Sequence, residues 1–292
     1  MFAGVFGRTV SEGRKKFIRT LYESLVRRDI ALCIYEPFYK KTRALLPENA
    51  QVSTFKTHDE IHPRMACMLT IGGDGTLLEA VTHVRDNKIP LLGINTGRLG
   101  FLSGFSKEEV DLTAEMVAKK LYAPDQRALI QIKLKGDYFG QTPFALNEVT
   151  FYKRDTSSMI TLHAEMNGKH LNTYWADGLI ISTPTGSTGY SLSCGGPIMM
   201  PDSKNFVITP IAPHNLNVRP MVIPDSSRLS IEAEVRGKHF MIALDSRSEV
   251  IPAGTKITIR KAPFSVLLAR KPEQEFLQTL REKLMWGTDK RN

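Results

Sequence analysis

The hydrophobic pattern of this chain changes period near residue 125, and that change decides which layers it can build. Before it, short apolar runs alternate with helical patterns. Residues 2–6, 31–35, 65–71 and 89–94 read as strands. Ser11 stands where it would cap a helix whose apolar positions Phe17, Leu21, Leu25 and Val26 recur at helical spacing. Ser106 and Glu109 have the spacing of a capping box ahead of another helix. Repeated β-α-β units imply parallel strands with helices on both faces. From residue 126 the period is two. Ile130, Ile132 and Leu134 point one way, and Gln131, Lys133 and Lys135 the other. Residues 160–166 alternate likewise and stop at Asn167-Gly168, a hairpin turn. Residues 229–235, 239–244 and 256–259 continue the alternation, with turns at 236–238 and 252–254. Residues 273–286 are helical again, with Phe276, Leu277, Leu280 and Leu284 on one face. The expected architecture is an α/β N-terminal domain with a parallel sheet, followed by an all-β antiparallel sandwich-like domain. The boundaries fall at 1–125, 126–270 and 271–292, the last a C-terminal helix that packs back on the first domain.

Within the first part, Gly72-Gly73-Asp74-Gly75-Thr76 joins the apolar run 65–71 to a helical pattern that begins at Leu77. A helix start presents unpaired N–H groups and a positive dipole end, which suit a phosphate. Glycine lets the backbone approach a ligand without a Cβ in the way. Asp74 does not fit phosphate binding alone, because a carboxylate repels the anion. It fits the removal of a proton from a hydroxyl that attacks a phosphoryl group. In a parallel sheet, ligands bind beyond the carboxyl ends of the strands. Asn95-Thr96-Gly97-Arg98-Leu99-Gly100-Phe101 follows the next strand, so the two loops are expected to share one crevice. Neither a P-loop nor a Gly-x-Gly-x-x-Gly fingerprint is present, so the domain is Rossmann-like without that motif.

A second polar cluster interrupts the strand-rich part. A short apolar strand at 179–181 runs into a dense series of Thr, Ser and Gly ending at Pro197. Hydroxyls and free amides at that density suit a phosphate-bearing ligand. A flexible linker would not also carry Asp177, Tyr190 and two prolines. Tyr190 offers a flat ring to a purine or, read structurally, fills core. Asn147 and Glu148 together suit the paired hydroxyls of a ribose, although read alone they are what any strand end carries.

Composition narrows the ligand class. The net charge of +9 points to polyanions. No long Lys/Arg run or aromatic-interleaved basic stripe occurs, so small anions such as nucleotides are favoured over nucleic acid. The three cysteines Cys33, Cys67 and Cys194 lack metal-type spacing, which argues for reduced thiols and a cytoplasmic setting. No segment has the ~20 apolar residues needed to cross a bilayer, so no membrane partner is expected. The histidines His83, His163, His214 and His239 are scattered and form no ligand pair.

The four motifs at 72–76, 95–101, 147–148 and 177–188, in this order, make the chain resemble the NAD kinases of bacterial type, over nearly its whole length. The resemblance implies transfer of the γ-phosphoryl group of ATP to the 2′-hydroxyl of the adenosine ribose of NAD, giving NADP. It implies that Asp74 accepts the proton and that Gly75 touches the dinucleotide. Asn147 and Glu148 match the pair on the adenosine side, and Asp177 the residue at the nicotinamide amide. Thr188, Gly189, Tyr190, Ser191, Leu192 and Ser193 match the segment lining the site, and Ala212 a further contact. A divalent cation, Mg²⁺, is expected to bridge the donor phosphates, with no metal-ligating residues in the chain. A homodimer or homotetramer is implied as well. Trp175 and Arg247 depart from relatives that carry Arg and Gln there, and Gly189 stands where many have Ala. Two alternatives share part of the pattern. Lipid kinases of the diacylglycerol and sphingosine type carry the Gly-Gly-Asp-Gly motif, and a non-catalytic dinucleotide sensor could use the same scaffold.

Overall fold

Strands covered on both faces are nearly continuous apolar runs. Residues Met65–Gly72 and Leu91–Asn95 fit that pattern, and every residue of both is buried. In the computed structural model, which describes all residues except 63, 98–99, 155–157 and 287–292, the chain divides into two units. One comprises Met1–Gln126 with Val266–Asn292, and the other Arg127–Ser265.

The first unit begins β1 (Phe2–Gly7), α1 (Glu12–Val26), β2 (Ala31–Tyr35), α2 (Glu36–Thr42) and β3 (Val52–Phe55). It continues β4 (Met65–Gly72), α3 (Asp74–Val84), β5 (Leu91–Asn95), β6 (Phe105–Ser106) and α4 (Val110–Lys119). The chain then runs through β7 (Ala123–Lys133), β8 (Phe144–Ala145), β9 (Glu148–Tyr152), β10 (Ile160–Met166), β11 (Lys169–Ala176) and β12 (Gly178–Ser182). After α5 (Tyr190–Ser193) come β13 (Asn205–Ile211), β14 (Met221–Pro224), β15 (Leu229–Glu234), β16 (His239–Leu244) and β17 (Arg247–Pro252). The long β18 (Lys256–Arg270) and α6 (Phe276–Leu284) close the chain.

In the first unit the strands run in parallel in the order β5-β4-β1-β2-β3. Leu268 of β18 pairs with Leu91 beyond β5. The core unites Val5, Ile34, Leu69 and Leu92 of the strands with Ile18, Leu21 and Leu25 of α1 and Val117 of α4. The buried face of α1 is centred on Ile18, Leu21, Tyr22 and Leu25, one residue round from the expected Phe17 and Val26. Ser11 stands at the N-cap, yet its hydroxyl makes no capping bond; its carbonyl accepts from Arg14 N at 2.9 Å. Only half of the expected capping box forms. Glu109 Oε2 accepts from Ser106 N at 3.0 Å, and the other oxygen goes to Lys271 Nζ at 2.6 Å. The helix accordingly starts at Val110. On α6, Thr279 and Leu280 are buried, whereas Leu277 is 51% exposed and leaves the expected apolar face.

The second unit is an antiparallel sandwich. One sheet runs β11-β10-β15-β18 and the other β14-β13-β12-β9-β16-β17. Alternate residues fill one core: Leu162, Ile231 and Ile257 from the first sheet meet Phe151, Ile181, Ile208 and Ile242 from the second. Asn167 (φ 54°) and Gly168 (φ 79°) turn β10 into β11 with both central residues left-handed, as a type I′ hairpin requires.

Candidate active site

In the first unit, β4 and β5 lie side by side with Gly72 opposite Asn95, and Thr96 N donates to Gly72 O at 3.0 Å. The two glycine-bearing loops therefore leave the sheet together. Helix α3 starts at Asp74, three residues earlier than the apolar pattern suggests, with Gly73 extended at its N-cap. A side chain at Gly73 or Gly75 would meet no atom within 4 Å, so the backbone there faces open space. The Asp74 carboxylate is half-buried and held by the loop after β5. Oδ2 accepts from Phe101 N at 2.7 Å, and Oδ1 from Leu102 N at 3.2 Å and Ser103 N at 3.0 Å. These bonds fix the plane of the carboxylate. A Cβ on Gly100 would fall on the carboxylate itself, so glycine is required there for steric reasons alone. Arg98 and Leu99 of the same motif lie outside the described residues.

In the second unit, β9 presents Glu148, Thr150 and Tyr152 on the face opposite the sandwich core, while Val149 and Phe151 enter that core. Three successive amides at the entry to β9, those of Leu146, Asn147 and Glu148, donate to the buried carboxylate of Asp245 at 2.9, 2.8 and 3.2 Å. Arg247 braces the segment before it, donating to Thr142 O at 2.6 Å, to Thr142 Oγ1 at 2.7 Å and to Phe144 O. Glu148 is only 9% exposed, and its Oε2 and Asn147 Oδ1 have no hydrogen-bond partner among the described residues. Burial first, and the neighbouring Asp245 second, push the Glu148 carboxyl up to about 8. Burial also raises Asp245, against the opposing effect of its three amide donors and Arg247.

The Thr-Gly-Ser-Thr turn follows β12, which pairs with β9. Thr183 N donates to Asn147 O at 2.8 Å. A Cβ on Gly189 would lie 3.3 Å from Glu148 Oε2 and 3.6 Å from Asn147 Nδ2, so these three residues form one group. The hydroxyls of Thr188 and Ser191 turn inward, to Thr185 O at 3.3 Å and Thr209 Oγ1 at 2.8 Å. Tyr190 projects outward, 45% exposed. Its hydroxyl is raised by burial and then by Cys194 and Asp177. Tyr152 is raised by burial and then by Tyr190 and Glu148. The outer face thus carries a run of groups from Glu148 through Tyr152 and Tyr190 to Asp177. Asp177 pairs with Lys153 Nζ at 2.6 Å, and its amide donates to Ile211 O at 3.0 Å, which places Ala212 (φ 43°) next to it. His214 stacks against Trp175 with ring centroids 4.6 Å apart. Cys33 and Cys67 are buried core residues, and burial pushes the Cys67 thiol up to about 12. Among the described residues, no group of three His, Cys, Asp or Glu side chains could hold a metal ion.

The sequence model of the ATP-NAD kinase N-terminal domain matches residues 4–122, and that of the C-terminal domain residues 146–271. An NAD kinase of Cytophaga hutchinsonii is 45% identical over 295 residues, covering 100% of both chains. The chain belongs to the NAD kinase family. An NAD kinase of Bacteroides fragilis is 42% identical, with 98% of each chain covered. Two solved structures share the fold of this NAD kinase family member. Yeast NADH kinase complexed with NADH superposes with TM-score 0.88 at 22% identity, covering 100% of this chain and 89% of that one. An Archaeoglobus fulgidus NAD kinase in complex with ATP gives 0.76 at 24%, covering 98% and 99%.

The family motifs named from the sequence omitted three residues that the structure makes prominent, Tyr152, Lys153 and Asp245, and gave no role to a fourth, Gly100. Tyr152 was legible, since it continues the alternation Glu148, Thr150, Tyr152. Asp245 gave no local signal, because it meets the Asn147 amide across a separation of 98 residues.

Proposed function

We propose that this NAD kinase family member transfers the γ-phosphoryl group of ATP to the 2′-hydroxyl of the adenosine ribose of NAD, giving NADP. The observation that carries the reading is the Asp74 carboxylate, locked by three amides beside the open backbone of Gly73 and Gly75. In this reading Asp74 takes the hydroxyl proton as the new P–O bond forms, and Gly75 contacts the dinucleotide. Asn147 and Glu148 hold the adenosine side; the unpaired Asn147 Oδ1 and Glu148 Oε2 are available to ribose hydroxyls. Tyr190 supports a flat ring, Asp177 engages the nicotinamide amide, and Thr188, Gly189, Ser191, Leu192, Ser193 and Ala212 line the site. Phosphoryl transfer of this kind relies on positioning and charge neutralisation more than on a strong base. Mg²⁺ enters on the phosphates of ATP as part of the substrate, keeping its waters, and needs no cage of side chains.

We also place the enzyme in the cytoplasm, as a homodimer or homotetramer. Three thiols without disulfides support the first, and the exposed apolar Leu216, Met221 and Val222 support the second. No helix among the described residues is long and apolar enough to cross a membrane.

The test is incubation with ATP, Mg²⁺ and either NAD or a lipid alcohol, with NADP read by a coupled dehydrogenase. NADP formation is expected from NAD; phosphorylation of the lipid without NADP overturns the reading. Asp74→Asn should lower turnover by about 10³-fold while NAD binding stays within about tenfold.

A further inference from the structure

The C-terminal segment is fastened to the loop that holds Asp74. Lys271 Nζ reaches Glu109 at 2.6 Å and lies over the Phe105 ring at 5.6 Å from its centroid. Gln274 packs so closely on Gly104 that a Cβ there would lie 2.5 Å from its Oε1. Arg270 donates to Gln274 O at 2.6 Å and pairs with Asp125 at 2.9 Å. Residues 270–274 thereby fix where α6 begins. On that helix the buried positions are Thr279 and Leu280. Lys283 follows them at i+4 and i+3, so it belongs to the same inward face. It is half-buried, whereas its neighbours Arg281 and Glu282 are exposed. Burial lowers the Lys283 ammonium, and the charges of Glu282 and Asp74 oppose that effect. The start of α6 is thus tied to Gly104 and Phe105, next to the three amides that hold Asp74. Lys283 on its inward face feels the charge of Asp74 without forming an ion pair within 4 Å among the described residues. An ammonium on that face with no ion-pair partner within 4 Å among the described residues is placed to meet an anion that arrives beside Asp74.

We propose that Lys283 is a further catalytic residue, whose ammonium contacts the terminal phosphate of the donor as the phosphoryl group passes over Asp74. The assignment rests on the kinase reading above. Lysine suits the task because its compact charge swings on a flexible stem to follow a moving phosphoryl group. Charge-assisted contact to the equatorial oxygens stabilises the transition state and also offsets repulsion between the Asp74 carboxylate and the incoming phosphate.

The test uses the full chain in four forms: wild type, Lys283→Met, Lys283→Arg and, as an outward-facing control, Arg281→Met. NADP formation gives kcat and KM, and calorimetry gives MgATP and NAD affinity without turnover. Lys283→Met should weaken MgATP binding and lower kcat by about tenfold or more each, leaving NAD affinity within about twofold. Lys283→Arg should recover most of the loss, and Arg281→Met should stay within about twofold of wild type. Wild-type MgATP affinity and kcat in Lys283→Met overturn the assignment. So does a Lys283→Arg protein as impaired as Lys283→Met at unchanged Tm, because that pattern marks a packing role. If Lys283→Met unfolds, the MgATP-to-NAD affinity split in Lys283→Arg and Lys283→Gln decides. A wild type that makes no NADP, but whose MgATP binding depends on Lys283, overturns the NAD reaction and leaves the phosphate contact standing.

Discussion

Each unit grips a carboxylate with three consecutive backbone amides, but the two grips serve opposite ends. In the first unit the amides of residues 101–103 hold Asp74, the group proposed to do chemistry. In the second, the amides of residues 146–148 hold Asp245, in the turn between β16 and β17. There the chemical residue is the donor, because Glu148 gives its amide to Asp245 and turns an unpaired carboxyl outward. The same device thus orients one acid proposed to do chemistry, and makes another the fixed neighbour of Glu148, whose carboxyl is raised first by burial and then by Asp245. What a carboxyl can do is set less by its own identity than by whether it receives the amides or lies next to the one that does.

The largest effect should come from breaking the first grip sterically. Gly100→Ala puts a methyl where the Asp74 carboxylate sits. A displacement of that order should lower kcat by about 10²-fold, while thermal unfolding shows a folded chain. An unchanged kcat would mean that the orientation of Asp74 is irrelevant. The second grip is broken by Asp245→Asn, which sets an amide NH₂ against three N–H donors. Loss of about 1–3 kcal/mol in denaturant unfolding is expected, together with weaker NAD binding. A neutral result would remove Asp245 as the frame of this loop.

The smallest effect sharpens the electrostatic contrast. Glu148 binds its proton more tightly when folded, with its carboxyl raised from 4.5 to about 8. Its contribution is complete below the unfolded carboxyl range and is lost as pH rises towards 8, so stability should fall across that window. Glu148→Gln should flatten the fall, changing the Tm difference between pH 5 and pH 8 by roughly 5 °C. The same slope in both proteins would show that Glu148 is not the group responsible.

Much of this architecture was legible because burial writes itself into the sequence at a fixed period. The nearly continuous apolar runs of β4 and β5 announced a covered parallel sheet, and alternating β10 and β15 announced a sandwich face. Asn167-Gly168 named its own turn. Boundaries slipped where a polar residue sits inside an element. β18 continues past the expected 259 to Arg270, through Arg260, Lys261 and Pro263, and these break the alternation without ending the strand. Among the site residues, those in contiguous motifs were visible. Gly100 stood inside a motif, but its reason is a contact with an acid 26 positions earlier. The grip on Asp245 joins chain segments nearly 100 residues apart and leaves no periodic trace.

Because the main chain does the holding around Asp74, the side chains at 101, 102 and 103 are bystanders to the acid's orientation. Most replacements at the half-buried positions 101 and 102 leave its tethers in place. Proline alone among the amino acids lacks the hydrogen that each tether uses, so a single ring closed onto the nitrogen would loosen the acid that a dozen ordinary substitutions could not move.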